Sequence, residues 1–414
     1  MTTEIAVANK WGIAMAADSA VTVEQVHKHE IIEKVYNSAN KIFTLSKWHP
    51  VGVMVFNTMT LGGTPWEVIV KQVRRELARR EFATLQEYAD FFFGHMQNNP
   101  VLFPVESARD VVFSNILRLV LDLRRRAEAN SKLSTVLDES IQRLEKVDDV
   151  DGFSPQFTRG VMRRYDSEIT AAIDVLLRKS HQRGQRRKLK KYVSLALSKK
   201  HLLPGWSGIV IAGFGREDIF PQLIEYRSDI VVSGRVRFWE NKRMRIDSST
   251  RSFVEPFADT EVIKTMMEGI NPRFKSEFLV EALKIFLKLP EEILSQVTEL
   301  QEDRKRYYTR AAGQPLVDQF KEFVSRVDEY RRREHIDPIA QTLQVLPISE
   351  LAVIAETLLN ASQIHKRVNP ELETVGGPID VAVISKGDGF VWIKRKHYFD
   401  DRLNPAFSRK YLDL

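Results

Sequence analysis

The chain has 414 residues, 62 Lys+Arg against 55 Asp+Glu, no cysteine, 43% hydrophobic and 28% charged residues. That length and balance give a globular protein with an ample core, and zero Cys excludes disulfides, thiolate zinc sites, iron–sulfur clusters and a cysteine nucleophile. No apolar run reaches the roughly 18 residues of a spanning helix, and Met1-Thr2-Thr3-Glu4 shows neither part of a secretory signal, so a cytoplasmic protein away from the membrane is expected.

The first forty residues read as β-structure. Thr3–Ala8 alternates loosely, Asn9-Lys10-Trp11-Gly12 is a turn, and Ile13–Ala17 is a second strand ending at Asp18. Lys41–Leu45 and Val51–Phe56 make a strand pair around Trp48-His49-Pro50. A helix then starts near Pro65, with an apolar stripe of Trp66, Ile69, Val70, Val73 and Leu77. Thr84-Leu85-Gln86-Glu87 is a capping box that opens a second helix containing Phe91-Phe92-Phe93.

From 99 to 204 the sequence turns helical and charged, clearest at Leu117–Arg126, Leu133–Val147 and Phe157–Leu177. Strand character returns at Gly208–Gly215, Gln222–Tyr226 and Ile230–Phe238, followed by an expected helix from Pro256 to Met267. Residues 271–345 are helical again. A helix carrying Leu351, Ile354, Ala355 and Leu358 precedes a strand at Ile379–Ile384 and a hairpin through Lys386–Gly389 to Phe390–Ile393. The β-bearing blocks 1–98, 205–270 and 346–396 amount to about 215 residues, one domain's worth. The segments 99–204 and 271–345 read as helical insertions, and 397–414 as a tail. An α+β sandwich with sheets inside and helices outside uses all the pieces.

Three stretches then carry a resemblance: Thr2-Thr3-Glu4-Ile5-Ala6-Val7, Met15-Ala16-Ala17-Asp18-Ser19 and Asn40-Lys41-Ile42-Phe43. Together they resemble proteasome β-type subunits of the N-terminal nucleophile (Ntn) hydrolases, which start on a Thr-Thr strand and place an acid sixteen residues on. Thr2 to Asp18 is sixteen residues here. Gly208–Gly215 and Gly376-Gly377-Pro378-Ile379-Asp380-Val381 continue the likeness, which leaves 99–204, 271–345 and the tail uncovered. The resemblance implies a four-layer αββα sandwich with two α-helical insertions, a threonine peptidase activity, a homo-oligomer and no cofactor or metal.

The residue chemistry suits that implication. A Thr hydroxyl needs a base within reach, and an N-terminal Thr carries one in its own α-amine, which titrates near 7.7–8.0. By position, Thr2 is nucleophile and base once Met1 is removed, Lys41 its electrostatic activator, and Asp18 the partner of Lys41. Counting from Gly52 puts Asn57 at the family's backbone oxyanion donor, where only the amide is required. The hydroxyl that supports the amine falls on Ser252, with Thr250 and Ser249 as alternatives. Two further family positions fall at Leu372 and Val375, which cannot do the family's polar work, with Glu373 one residue off. These departures keep a catalytically silent Ntn-fold interaction subunit as a second reading.

Residues 178–200 contain ten Lys/Arg and no acid, so the rest of the chain stands at −3 against a total of +7. This run is the candidate for a polyanion or an acidic partner, and a nucleic-acid-associated factor is the third reading. Tyr192 alone interleaves as a stacking group, which argues against sequence-specific single-strand recognition. His27-Lys28-His29-Glu30 reads as a solvated loop without a metal, and Gly213-Phe214-Gly215 as a strand end without the third glycine of a dinucleotide site.

Overall fold

The computed structural model describes residues 3–27, 30–104, 107–130, 132–177, 183–368, 376–397, 399 and 403–406, and their side chains except at 22–35, 129, 130 and 183. The chain divides into two compact units, Met1–Ala258 with Pro347–Leu414, and Asp259–Leu346. The first unit runs β1 (Thr3–Asn9), β2 (Gly12–Ala17), β3 (Val21–His27), β4 (Glu30–Tyr36), β5 (Ile42–Thr44), β6 (Val51–Asn57) and the short pair β7 (Thr60–Leu61) and β8 (Thr64–Pro65). Helices α1 (Trp66–Leu77), α2 (Leu85–Met96), α3 (Ala108–Asn130), α4 (Leu133–Glu145), α5 (Pro155–Arg164), α6 (Asp166–Leu177) and α7 (Arg183–Ser198) follow. Strands β9 (Ser207–Gly213), β10 (Gln222–Val232), β11 (Arg235–Arg245) and β12 (Ser252–Ala258) lead to the second unit, α8 (Glu261–Glu268), α9 (Pro272–Ser295), α10 (Glu302–Arg331), a π-turn at Arg332–Ile336 and α11 (Asp337–Leu343). The chain returns through α12 (Ile348–Val368), β13 (Asp380–Ser385) and β14 (Gly389–Lys394).

The fold is mixed α/β with antiparallel sheets. The first sheet has the order β12-β1-β2-β13-β14 and the second β11-β10-β9-β6-β5. The near-continuous burial of β1, β2, β6 and β9 follows from strands covered on both faces. One core joins the two sheets, with Ala6, Met15 and Ala382 of the first against Met54, Val210 and Leu223 of the second. The other face of the second sheet, with Val53, Val55, Ile209 and Ile224, packs on α1 and α2. The buried residues of α1 are the five of the predicted stripe. The capping box at Thr84 and Glu87 forms, and Phe92 and Phe93 are core. Helix α12 lies on β1, β2 and β13 through Leu351, Ala355 and Leu359.

Helices α3–α7 build their own core, which takes in Ile230 and Val232 of β10. Arg237 of β11 secures this attachment. It is fully buried, ion-pairs with Asp229, and donates to the carbonyls of Leu197 (2.9 Å), Ala196 (3.1 Å), Lys199 and His201 (2.9 Å). The last carbonyls of a helix have no intrahelical donor, and a guanidinium supplies five N–H groups in a fixed fork.

Two elements differ from the sequence reading. Residues 222–232 form one strand that turns at Ser233-Gly234, both at positive φ (51° and 77°); the break expected at 227–229 is absent. Ser252–Ala258 is a strand, and the helix starts at Glu261 instead of Pro256. Pro256 is tolerated because β12 is an edge strand. The second unit begins at Asp259, inside the 205–270 block, and its helices α9 and α10 meet through Phe286, Phe320 and Phe323. No helix of the described residues is long and apolar enough to cross a membrane.

Candidate active site around Lys41

The tight β1–β2 hairpin brings the start of β1 beside the end of β2. Asp18 N–H donates to the Thr3 carbonyl (3.3 Å), and Thr3 N–H donates to Asp18 Oδ1 (3.3 Å). Lys41 sits just before β5 and is held there by Val55 N–H donating to its carbonyl (2.8 Å). Its Nζ lies 2.5 Å from Asp18 Oδ1 and 2.9 Å from Glu4 Oε1, and all three side chains have zero exposure. Asp18 Oδ2 also accepts from Gly376 N–H (2.9 Å). The next residue ties the same loop down, with Ser19 N–H donating to the Gly376 carbonyl (3.2 Å) and Ser19 Oγ to the Pro378 carbonyl (2.5 Å).

The structure thus brings Lys41 and Asp18 into contact at the residue that follows Thr2. Thr2 itself lies outside the described residues, as do Leu372, Glu373 and Val375. Three fully buried ionisable groups in one cluster are expensive to desolvate, and apolar residues of similar volume commonly serve stability as well or better. Such clusters concentrate at functional sites. The bland alternative is a structural ion triad that closes the end of the first sheet.

Glu4 was missed by the sequence reading, although a carboxylate inside the apolar run Thr3–Ala8 signals a buried partner. Ser362 was missed too. It is fully buried on α12, with its Oγ 3.4 Å from Thr3 Oγ1. A small polar residue on the apolar face of a helix is the only trace it leaves in the sequence.

Asn57 ends β6 at φ 69°, a left-handed conformation that Asn adopts more readily than most residues. Hydrogen-bonding direction alternates along an antiparallel strand, so the Asn57 N–H points to the same side as that of Val55, the side of Lys41. Its side chain is drawn the other way, Nδ2 donating to the Trp206 carbonyl (2.7 Å).

Ser252 requires a correction. The β1–β12 register pairs Thr3 with Ala258 and Asn9 with Ser252. Six residues of strand, about 20 Å, therefore separate Ser252 from the start of β1. Thr250 and Ser249 lie beyond it, in a turn where both N–H groups donate to Asp247 Oδ1 (2.8 Å each). None of the three lies beside the start of β1 at Thr3.

The basic run is also revised in its details. Residues 178–182 lie outside the described residues. On the rest, Arg186 pairs with Asp174 (2.5 Å), Lys188 with Asp138 (2.7 Å), Lys190 with Asp166 (2.6 Å), Lys191 with Glu145 (2.7 Å) and Lys199 with Asp149 (3.1 Å). The acids come from α4, α6 and the segment after α4, so much of the local positive charge is neutralised within the chain. His27 ends β3 and Glu30 opens β4, with Lys28 and His29 outside the described residues. Gly213 ends β9, the strand-end role expected of it.

A second buried pair adjoins the cluster. Asp380 faces Ala17 across β13 and β2. It accepts from Lys396 N–H (2.8 Å) and ion-pairs with Lys396 Nζ. Burial lowers the Lys396 pKa, Asp380 opposes the shift, and Lys41 and Asp18 are near enough to contribute with opposite signs.

No family model and no curated protein matches the chain. Among solved structures it is similar to the Anbu (Gly-1) mutant from Hyphomicrobium sp. strain MC1, a proteasome-like protein. The identity is 8%, 100% of this chain and 96% of that one are covered, and the TM-score is 0.29. The likeness is distant.

Proposed function

We propose that the chain is a proteasome-like threonine hydrolase of the Ntn type, with a four-layer αββα core and two helical insertions, that cleaves peptide (amide) bonds through Thr2. The observation that carries this reading is the buried Lys41–Asp18–Glu4 cluster at the residue following Thr2. Removal of Met1 frees the α-amine. That amine takes the hydroxyl proton as Thr2 Oγ attacks the carbonyl carbon, and the Asn57 N–H stabilises the oxyanion that forms. The C–N bond breaks, the departing amine takes the proton, and the Thr2 ester is hydrolysed by water activated by the same amine. Lys41 supplies fixed positive charge beside the reacting oxygen, and Asp18 and Glu4 hold it in place. No cofactor takes part. The protein works in the cytoplasm as a homo-oligomer.

One observation favours the second reading, a silent interaction subunit: the register removes Ser252 from the site and leaves the amine without the hydroxyl assigned to it. Fluorogenic peptide hydrolysis by the wild type and by Thr2→Ala separates the two. Turnover lost in the variant supports the hydrolase, and turnover that persists contradicts it.

A further inference from the structure

The hydrophobic residues of the second unit lie mostly at its surface. Within Asp259–Leu346 only Ile263, Phe320 and Leu343 are buried apolar side chains. None of the 24 residues of α9 is buried, although apolar residues run along its whole length. A unit of this size needs a core to stay folded, and a helix that is apolar on nearly every side is normally covered by other elements. One side of α9 is accounted for: Leu279, Leu283 and Phe286 are half-buried there, and Phe286 meets Phe320 and Phe323 of α10.

The opposite side carries a stripe. Phe274, Phe278, Ala282, Ile285, Leu289 and Ile293 follow one another at steps of three or four residues, the spacing of a single helix face. The five large residues are 39% to 61% exposed, and the rings of Phe274 and Phe278 stack with centroids 6.1 Å apart. Taking about 150–250 Å² for each Phe and somewhat less for Leu and Ile, the stripe leaves on the order of 500 Å² of apolar surface open, near the upper end of what a monomer shows in one patch. Two such faces bury about 1,000 Å² between them, the size at which a specific interface begins.

The stripe is also palindromic. About a midpoint between Leu283 and Lys284, Phe274 corresponds to Ile293, Phe278 to Leu289 and Ala282 to Ile285. Two copies of α9 laid antiparallel on a two-fold axis therefore set every large side chain against an apolar one, with Ala282 making room for Ile285. The same operation sets Lys275 of one copy against Glu292 of the other. Lys275 is held by Asp328 (2.5 Å) within the chain, and Glu292 has no ion pair among the described residues. A two-fold interface has to be self-complementary in this way; a foreign partner would need the apolar surface but not its symmetry.

We propose that α9 is a dimerisation helix that packs antiparallel on α9 of a second copy of this chain through the Phe274–Ile293 stripe. This deepens the homo-oligomer reading by naming its surface, and it is independent of the chemistry at Thr2.

The test uses the full chain. It contains no cysteine, so cysteines placed on the stripe report only on each other. In an antiparallel pair with axes about 8–10 Å apart, positions 278 and 289 of different copies face each other within disulfide reach. Within one helix they are eleven residues, about 16 Å, apart and cannot join. Phe278→Cys combined with Leu289→Cys should therefore give a covalent dimer on mild oxidation, with peptide mapping placing the bridge between 278 and 289, and each single variant should stay mostly uncrosslinked. Light scattering after gel filtration should give the wild type at least twice the mass of one chain. Ile285→Lys should weaken association about tenfold or more, the scale of losing a central interface residue. Ile285→Asn is a milder second change, and circular dichroism checks that the helices are kept. Bridges joining 278 to 278, or an oligomer unchanged by folded Ile285→Lys, would overturn the proposal and leave the homo-oligomer reading standing. A wild-type monomer at micromolar concentration, whether or not it binds zwitterionic lipid vesicles, would overturn both. The hydrolase reading is scored separately, by turnover of the wild type against Thr2→Ala.

Discussion

Lys41→Met perturbs the cluster most informatively, because it removes the one cation and keeps the volume. Asp18 retains two backbone donors, Thr3 N–H at 3.3 Å and Gly376 N–H at 2.9 Å. Glu4 loses an ion pair at 2.9 Å and stays at zero exposure beside Asp18. Breaking a buried pair in this way costs about 3–5 kcal/mol, a large part of the 5–15 kcal/mol or so that holds a domain together. The variant leaves two buried carboxylates, Glu4 and Asp18, side by side without their cation, so adding Glu4→Gln to Lys41→Met should recover about 2 kcal/mol, the value of a strongly coupled pair. Urea unfolding followed by circular dichroism measures both, and the hydrolysis rate of Lys41→Met should fall about 100-fold or more. An unchanged unfolding midpoint for Lys41→Met, or a double variant no more stable than the single one, would refute the reasoning.

Arg237→Met leaves buried Asp229 and the α7 carbonyls without their donor, and should destabilise the first unit by about 3–5 kcal/mol in urea unfolding. His201 is pushed down from 6.5 to about 4 by burial, with Arg143, Arg237 and Arg126 adding to it. The unfolded chain then binds a proton that the folded one refuses, so stability falls as pH drops from 6.5 toward 4. The limit is about 3 kcal/mol, and nearer 2 after screening of the part-exposed ring. In His201→Asn that part of the acid dependence should vanish from pH-dependent melts. Asn57→Gly keeps the backbone N–H and suits φ 69°, so peptide hydrolysis should stay within about threefold of wild type, whereas the loss of an oxyanion donor costs about 100-fold or more.

The β1, β2, β5, β6 and β13 strands and the α1 and α2 helices were legible because their signals are local: period, turn residues and a capping box. The pairing of Asp18 with Lys41 was legible too, and the structure brings the two side chains together. Partners supplied from far along the chain were not legible. The polar run Arg227-Ser228-Asp229 reads as a break between strands, yet each residue finds a partner in the fold: Arg227 in Glu225, Ser228 in the Arg237 carbonyl, and Asp229 in Arg237 and Leu203 N–H. Register is equally invisible, which is why Ser252 looked close to the site and lies about 20 Å along the strand. The acids that neutralise α7 come from helices up to fifty residues away.

The central claim, a free Thr2 that reacts as a nucleophile, is tested most directly by intact mass spectrometry of the full-length protein before and after a β-lactone probe. The account predicts a mass short of one methionine, then a single ester adduct that peptide mapping places on Thr2 and that Thr2→Ala does not form. Retained Met1, or an adduct that persists in Thr2→Ala, would contradict it.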